Sequence, residues 1–187
     1  MARRHPATRA LRVSQAEVIT VFPHRSDVPV PLWWSLFSGA TEQIAILVYA
    51  GLFLFEQHPD LVELLGQKAA DGCQVRVALG DPTSEAVRAR GEEERFGEGI
   101  DSRVRLAVRH LEPLRHDSSV EIRLHRTPLY NSIFRFDDQL LVNHHLWATN
   151  AYEAPVVHLR KVAGGKLFEM FARNFEMVWA TSAPVTS

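Results

Sequence analysis

The residues that could do chemistry are concentrated between Val120 and Lys161. This stretch is predicted to form a strand, a turn, a second strand, a hairpin and a further strand. Because a strand sends alternate side chains to one face, Arg123, His125 and Thr127 can share a side, and so can His158 and Arg160. Polar side chains on otherwise apolar strands indicate a binding pocket, with the candidate contacts Arg123, His125, Thr127, Tyr130, Asn131, Ser132, Arg135, His145, His158 and Arg160.

Histidine is the side chain best suited to proton transfer near neutral pH. The candidate catalytic groups are therefore His125, His145 and His158, together with Asp138. Each histidine has an alternative role as a hydrogen-bonded structural residue. A metal site around the His144–His145 pair is disfavoured, because adjacent strand residues point to opposite faces and no ligand spacing is present. No metal and no cofactor is expected.

The elements that must position these residues follow an α/β pattern. An apolar strand at Gln43–Ala50, an amphipathic helix at Pro59–Asp71 and a strand at Gln74–Leu79 predict a right-handed parallel crossover. Further helices are predicted at Ile100–Leu114 and Leu167–Ala180. The fold expected is a mixed sheet with helices on both faces.

A loop after the Gln74–Leu79 strand leaves two interpretations open. Asp81 and Ser84 follow the carboxyl end of that strand, where ligands often bind in parallel sheets. The alternative is structural: Ser84 caps the next helix, and Asp81 closes a turn.

Composition limits the class of protein. The 187 residues are 46% hydrophobic with a formal net charge of −1, which suits one folded domain and gives no overall field to attract nucleic acid. We expect a flexible basic arm at residues 1–14 and a single domain at residues 15–187. The lone cysteine, Cys73, indicates a reducing compartment, and no apolar run reaches the roughly 20 residues of a membrane span. A soluble, cytoplasmic protein is expected.

The segment from Leu129 to Asn143 resembles the signature of the phospholipase D superfamily. That signature carries His-x-Lys, four residues and then Asp, followed by a turn, an apolar stretch and a small polar motif. Aligned on Asp137, the position of the family's nucleophilic histidine is occupied by Tyr130, and that of its phosphate-binding lysine by Ser132. The resemblance implies a phospholipase-D-like fold from which the family's catalytic pair is missing.

A second resemblance covers most of the chain from His24 onward. Gly80-Asp81-Pro82, Arg123-Leu124-His125-Arg126-Thr127, His158-Leu159-Arg160 and the closing Phe175-Glu176-Met177-Val178-Trp179 are similar to the C-terminal, phospholipase-D-like domain of actinobacterial helix-turn-helix (XRE-type) transcriptional regulators. About twenty residues precede the similarity, too few for a helix-turn-helix. Contact with DNA is therefore expected only through a separate or missing domain.

Two functions are compatible with these observations. The first is a sensing module that binds an anionic small molecule, phosphorylated or nucleotide-like, because the planar fork of arginine suits phosphate. The second is a phosphodiesterase-type hydrolase in which one of the histidines has taken over the catalytic role. Single-motif members of the superfamily pair two half-sites, so a homodimer is expected in both cases.

Overall fold

The fold is a mixed α/β sheet of eight strands, seen in a computed structural model that describes residues 13–95, 99–115 and 117–185. The strand order is β1-β7-β6-β5-β2-β3-β4-β8. The strands are β1 (Val18–Phe22), β2 (Gln43–Leu47), β3 (Gln74–Gly80), β4 (Val120–His125), β5 (Asn131–Phe136), β6 (Gln139–His144), β7 (Val156–Arg160) and β8 (Ala183–Pro184). The helices are α1 (residues 13–17), α2 (Val30–Gly39), α3 (Phe53–Gln57), α4 (Leu61–Ala70), α5 (Glu85–Glu93), α6 (Gly99–Leu111) and α7 (Leu167–Thr181).

The central strands are parallel, as the apolar run and the amphipathic helix predict. β2 pairs with β3, and β3 pairs with β4, both in parallel. Residues 44–47 of β2 are buried, as expected for a strand covered on both faces. The predicted parallel connection through a helix is confirmed, and the helix ends at Ala70, one residue before the predicted Asp71.

The antiparallel half continues from β2 through β5, β6, β7 and β1. A two-residue turn joins β5 to β6, and Asp137 adopts φ 49 there, in the left-handed region that Asp tolerates. The Asp137 carboxylate accepts the backbone N–H groups of Thr41, Glu42 and Gln43, each at 2.8 Å. This aspartate of the phospholipase-D-like segment therefore joins the hairpin to the start of β2.

Helices cover both faces of the sheet, which confirms the predicted layers. Phe134 of β5 packs edge-to-face on Trp33 of α2, with the ring centroids 4.8 Å apart. The next residue, Arg135, points to the other face, where its guanidinium lies 5.3 Å from the ring centre of Phe168 in α7. Because neighbouring strand residues alternate, α2 and α7 lie on opposite sides of the sheet.

A bidentate ion pair links α7 to the sheet. Arg76 of β3 donates to both carboxylate oxygens of Glu176, at 2.8 and 2.7 Å, and its guanidinium also lies over the ring of Phe175. Arg76 is buried whereas Glu176 is half exposed. The parallel fork geometry fixes the rotation of α7 about its axis.

The first turn of α7 is held by the end of α1. Glu17 is fully buried, and its carboxylate accepts the backbone N–H groups of Lys166, Leu167 and Phe168 at 3.1, 3.0 and 2.9 Å. A carboxylate at a helix N-terminus also interacts favourably with the positive end of the helix dipole. The predicted basic arm lies largely outside the described residues, and its last two residues, 13 and 14, are helical. Within the described residues, no helix combines the length and apolar character needed to cross a membrane.

Candidate functional site

The sheet has two ends, and the candidate residues are divided between them. Strands β2, β3, β4 and β6 finish at one end, where β5 and β7 begin; we call it the upper end. It carries the candidates His125, Thr127, Tyr130, Asn131, Ser132 and His145. The remaining candidates lie in the middle of the sheet or at its lower end: Arg123, Arg135, Asp138, His158 and Arg160.

The strand order shows that Arg123 and Arg160 do not share one pocket, contrary to the expectation from the sequence. β4, which carries Arg123, and β7, which carries Arg160, are separated by five strand spacings, or about 24 Å. Arg123 pairs with Glu121 at 2.8 Å, and the Nε of Arg160 donates to the carbonyl oxygen of Ala16 at 2.9 Å. Alternation predicts which residues of one strand share a face, but it could not show how far apart those strands lie.

The other lower-end candidates also have structural partners. The Nε of Arg135 donates to the carbonyl oxygen of Asp137 at 3.0 Å, and Nε2 of His158 donates to the side-chain oxygen of Gln139 at 2.9 Å. Burial lowers the pKa of His158. Asp138 is exposed at the hairpin, 3.8 Å from the amine of Lys161. These residues brace the lower end and do not converge with those at the upper end.

Ser132 and His145 form the central contact of the upper end. Nδ1 of His145 lies 3.1 Å from the carbonyl oxygen of Leu129, which can only accept, so Nδ1 carries the proton. Nε2 is then an acceptor, and the Ser132 hydroxyl, 3.0 Å away, donates to it. The imidazole also stacks on the ring of Tyr49, with centroids 5.5 Å apart. Both the tautomer and the orientation of His145 are therefore set by its surroundings.

The environment of His145 favours its neutral form. Burial, together with the positive charges of Arg90 and Arg25, lowers the pKa of His145 to about 4. Arg90 and Arg25 therefore act together with burial to keep the imidazole of His145 neutral.

His125 has a different role although it lies on the same edge. It is fully buried, and its Nε2 donates to the carbonyl oxygen of Val48 at 3.1 Å. Burial lowers its pKa. This histidine ties the end of β4 to the segment that follows β2, which is the structural alternative considered from the sequence.

A cavity of about 90 Å³ opens beside Ser132 and His145. Three further segments contribute charged residues to its wall: Arg25 from the loop after β1, Glu94 after α5 and Arg103 on α6. The guanidinium of Arg25 lies 3.9 Å from the ring centre of Phe53. Burial lowers the pKa of Arg25 to about 10, against the opposing effect of Glu94, so the side chain stays cationic at neutral pH.

Arg25 and Arg103 line the cavity but were not among the candidate site residues predicted from the sequence. Arg25 stands in the His24-Arg25-Ser26-Asp27 loop where the family resemblance begins, and that was the one signal available. Nothing in the spacing of a loop residue shows that it returns to a strand more than a hundred positions later. Its backbone N–H is fixed to the carbonyl oxygen of Ala154 at 2.9 Å, which brings the loop to the upper end.

The remaining upper-end candidates form the rim. Asn131 accepts from Nδ1 of His144 at 2.7 Å, and Thr127 lies partly exposed in the loop before Tyr130. Tyr130, which the resemblance aligns with the phospholipase D histidine, points outward with 81% of its surface exposed. The family's two signature positions thus differ: Ser132 lines the cavity, and Tyr130 does not.

The loop after β3 follows the structural interpretation. The Ser84 hydroxyl oxygen accepts from the backbone N–H of Val87 at 3.3 Å and caps α5, while Asp81 accepts from the N–H of Thr83 at 2.8 Å and closes the turn. Asp81 also pairs with Arg126 at 3.0 Å. Across the described residues, no three His, Cys, Asp or Glu side chains gather closely enough to hold a metal ion.

One family profile matches residues 14–186, almost the whole chain, and it is described as a domain of unknown function, DUF5919. The chain belongs to the DUF5919 family. No curated protein is similar enough in sequence to be identified as a relative of this DUF5919 chain.

Two solved structures share its fold. TrmBL2, an archaeal chromatin protein whose structure shows a novel mode of DNA binding, superposes with a TM-score of 0.56 at 12% identity, over 89% of this chain and 54% of that one. Nuc, a phospholipase D family member from Salmonella typhimurium, superposes with a TM-score of 0.53 at 16% identity, over 84% of this chain and 90% of that one. The DUF5919 chain therefore has a phospholipase-D-like fold, and it spans about half the length of TrmBL2.

Proposed function

We propose that this domain is a sensing module that binds the phosphoryl group of a small molecule at the upper end of the sheet. The observation that carries the proposal is the meeting of Arg25, Ser132 and His145 on one cavity. A guanidinium supplies charge and a planar donor fork, and a hydroxyl adds an adjustable donor.

The size of the cavity supports a small group rather than a whole drug-sized ligand. About 90 Å³ is well below the 300–1,000 Å³ of typical ligand pockets, so the cavity fits one phosphoryl-sized group of a larger molecule. Its charged lining consists of Arg25, Arg103 and Glu94, two positive side chains against one negative. Arg25 stays cationic at neutral pH and offers a charged contact to an anion in this wall.

Anion binding is expected to be coupled to protonation of His145. The Ser132 hydroxyl donates to Nε2 of His145. An entering phosphate would draw that hydroxyl toward itself, and its negative charge would favour a proton on Nε2. Binding should therefore be accompanied by proton uptake, and affinity should decrease as pH rises.

The direct test is isothermal titration with inorganic phosphate and with ribose 5-phosphate. Arg25→Gln removes the cationic contact and should weaken binding at least tenfold, and Ser132→Ala should weaken it less. Arg160→Gln is the matched control, since it removes the same charge at the lower end of the sheet. Titration in buffers of different ionisation enthalpy measures the proton uptake. Absence of binding, or equal losses in Arg25→Gln and Arg160→Gln, would refute the proposal.

The proposed biological setting is a transcriptional regulator. The similarity to actinobacterial regulators and the shared fold with a chromatin protein support this setting. DNA would be reached through a separate domain or another chain, and two copies of the domain would form a homodimer. Sedimentation equilibrium, with and without phosphate, tests the dimer, and a monomer under both conditions would contradict it.

A hydrolase remains the second candidate, favoured by the hydrogen bond from Ser132 to His145 beside the cavity. Oγ of Ser132 would attack phosphorus, Nε2 of His145 would take its proton and pass it to the departing alkoxide, and water would then cleave the phosphoserine. A general base is most effective with a pKa near the working pH, and a pKa of about 4 is far below it. This is why binding is the preferred function. Turnover of a nitrophenyl phosphodiester that is lost in Ser132→Ala and His145→Ala, but kept in His24→Ala, would reverse that preference.

A further inference from the structure

A second concavity lies outside the cavity and shares a wall with it. This groove has a volume of about 440 Å³, within the range of small-molecule sites. Tyr49 and His145 line both spaces, so the stacked pair of rings is the partition between them. On the outer side the groove is bordered by Tyr130 and Trp147, which are 81% and 78% exposed.

Trp147 lies in a turn whose backbone is held by the buried side chain of Arg90. Arg90 is buried, and its guanidinium donates to the carbonyl oxygens of Leu146 and Thr149 at 3.1 and 3.0 Å. The same guanidinium is neutralised by Glu93 and Glu94, at 3.1 and 2.6 Å.

The backbone of this turn is also unusual. Ala148, directly after Trp147, has φ 53, in the left-handed region that costs a non-glycine residue free energy. A buried charge network thus holds a strained turn whose large aromatic side chain projects into solvent. Folding alone gains nothing from an indole held outward, so the arrangement points to a binding role.

We propose that the groove binds a planar heteroaromatic ring, the base of a nucleotide, stacked on Trp147 and Tyr130. The inference rests on the proposed phosphoryl site and specifies its ligand as a nucleoside monophosphate unit. The phosphoryl group occupies the cavity, the base occupies the groove, and the sugar crosses the edge made by Tyr49 and His145.

The chemistry of the groove fits a base better than an aliphatic tail. Indole and phenol faces stack on any base, which gives affinity without requiring one sequence of hydrogen-bond donors. Arg126, Glu85 and Glu93 add polar groups to the lining that can pair with the edge of a base. A lipid chain would cover these charged groups without forming hydrogen bonds to them.

The test compares AMP, GMP, CMP and UMP with ribose 5-phosphate, which has the same phosphoryl group and sugar but no base. At least one nucleotide should bind about five- to 150-fold more tightly than ribose 5-phosphate, the range expected for stacking of one base. Trp147→Ala should abolish that advantage without affecting ribose 5-phosphate, and Trp147→Phe should retain most of it. Met177→Ala, which truncates an exposed apolar side chain on α7, is the control and should change nothing.

The outcomes separate this inference from the function on which it rests. If ribose 5-phosphate binds and no nucleotide binds more tightly, the base site is refuted while the phosphoryl site stands. If no probe binds, the proposed function itself fails. A Trp147→Ala variant that dissociates a dimer and leaves nucleotide affinity unchanged would assign the groove to a protein interface and overturn the inference. A 5′-phosphorylated oligonucleotide, run beside the mononucleotides, distinguishes a strand end from a free nucleotide as the source of the unit.

Discussion

Replacing Glu17 by glutamine should loosen the attachment of α7 by a predictable amount. The carboxylate of this buried residue accepts three backbone N–H groups, two at Oε2 and one at Oε1. Glutamine keeps one oxygen and presents an amide donor to the remaining N–H groups. Hydrogen bonds to charged groups contribute about 1.5–3 kcal/mol each, so the loss of at least one should lower the free energy of unfolding by about 2 kcal/mol.

The measurement is urea unfolding followed by circular dichroism, supported by calorimetry. For a domain of this size, about 2 kcal/mol corresponds to a decrease in Tm of about 4–8 °C. Glu169→Gln is the matched control, because Glu169 is the exposed acid in the same first turn of α7. Its effect on the helix dipole should be about 0.3–1 kcal/mol. Equal losses in the two variants would show that the buried carboxylate does not hold the helix.

Three further predictions concern the hairpin, the α7 face and the upper end. Asp137→Asn should cost about 2–4 kcal/mol of unfolding free energy, whereas Asp138→Asn should cost less than about 1 kcal/mol, as measured in urea. Burial acts to raise the pKa of Asp137, but the N–H groups of Gln43 and its neighbours outweigh burial and hold this pKa below its usual value. The contribution of Asp137 to stability is therefore complete above about pH 4, and it should be lost as the pH falls through the lower pKa of the folded state. Arg76→Lys should destabilise by about 1–2 kcal/mol, because lysine cannot reproduce the bidentate pair or the stacking, and a variant as stable as the parent in the same assay would contradict this. The ring protons of His145 should titrate near pH 4 by NMR, and its stabilising contribution should decrease as pH falls from about 6.5 to about 4; titration near 6.5 would show that the imidazole is not desolvated.

The order and kind of most elements could be predicted from the sequence. Apolar spacing predicted a helix at Leu167–Ala180, and the observed helix ends one residue later, at Thr181. The apolar run predicted a central strand at Gln43–Ala50, and the observed strand ends earlier, at Leu47. The short strand β8 was not predicted, because two residues carry no periodicity. The segment that resembles the phospholipase D signature was recognised through Asp137, and the structure shows that this carboxylate joins the β5–β6 hairpin to the start of β2.

The sequence by itself showed a resemblance to the phospholipase D signature around Asp137, with Tyr130 and Ser132 at the positions of that signature's histidine and lysine. It also showed that polar residues lie on the neighbouring strands. It could not decide which of those residues meet. Alternation assigns each side chain to a face of its own strand, but the order of the strands across the sheet depends on long-range pairing. In the observed order, the strands that carry Arg123 and Arg160 lie far apart in the sheet. Tertiary folding instead brought Arg25 from a loop to Ser132 and His145, since a loop is placed by the surface against which it packs rather than by its own pattern.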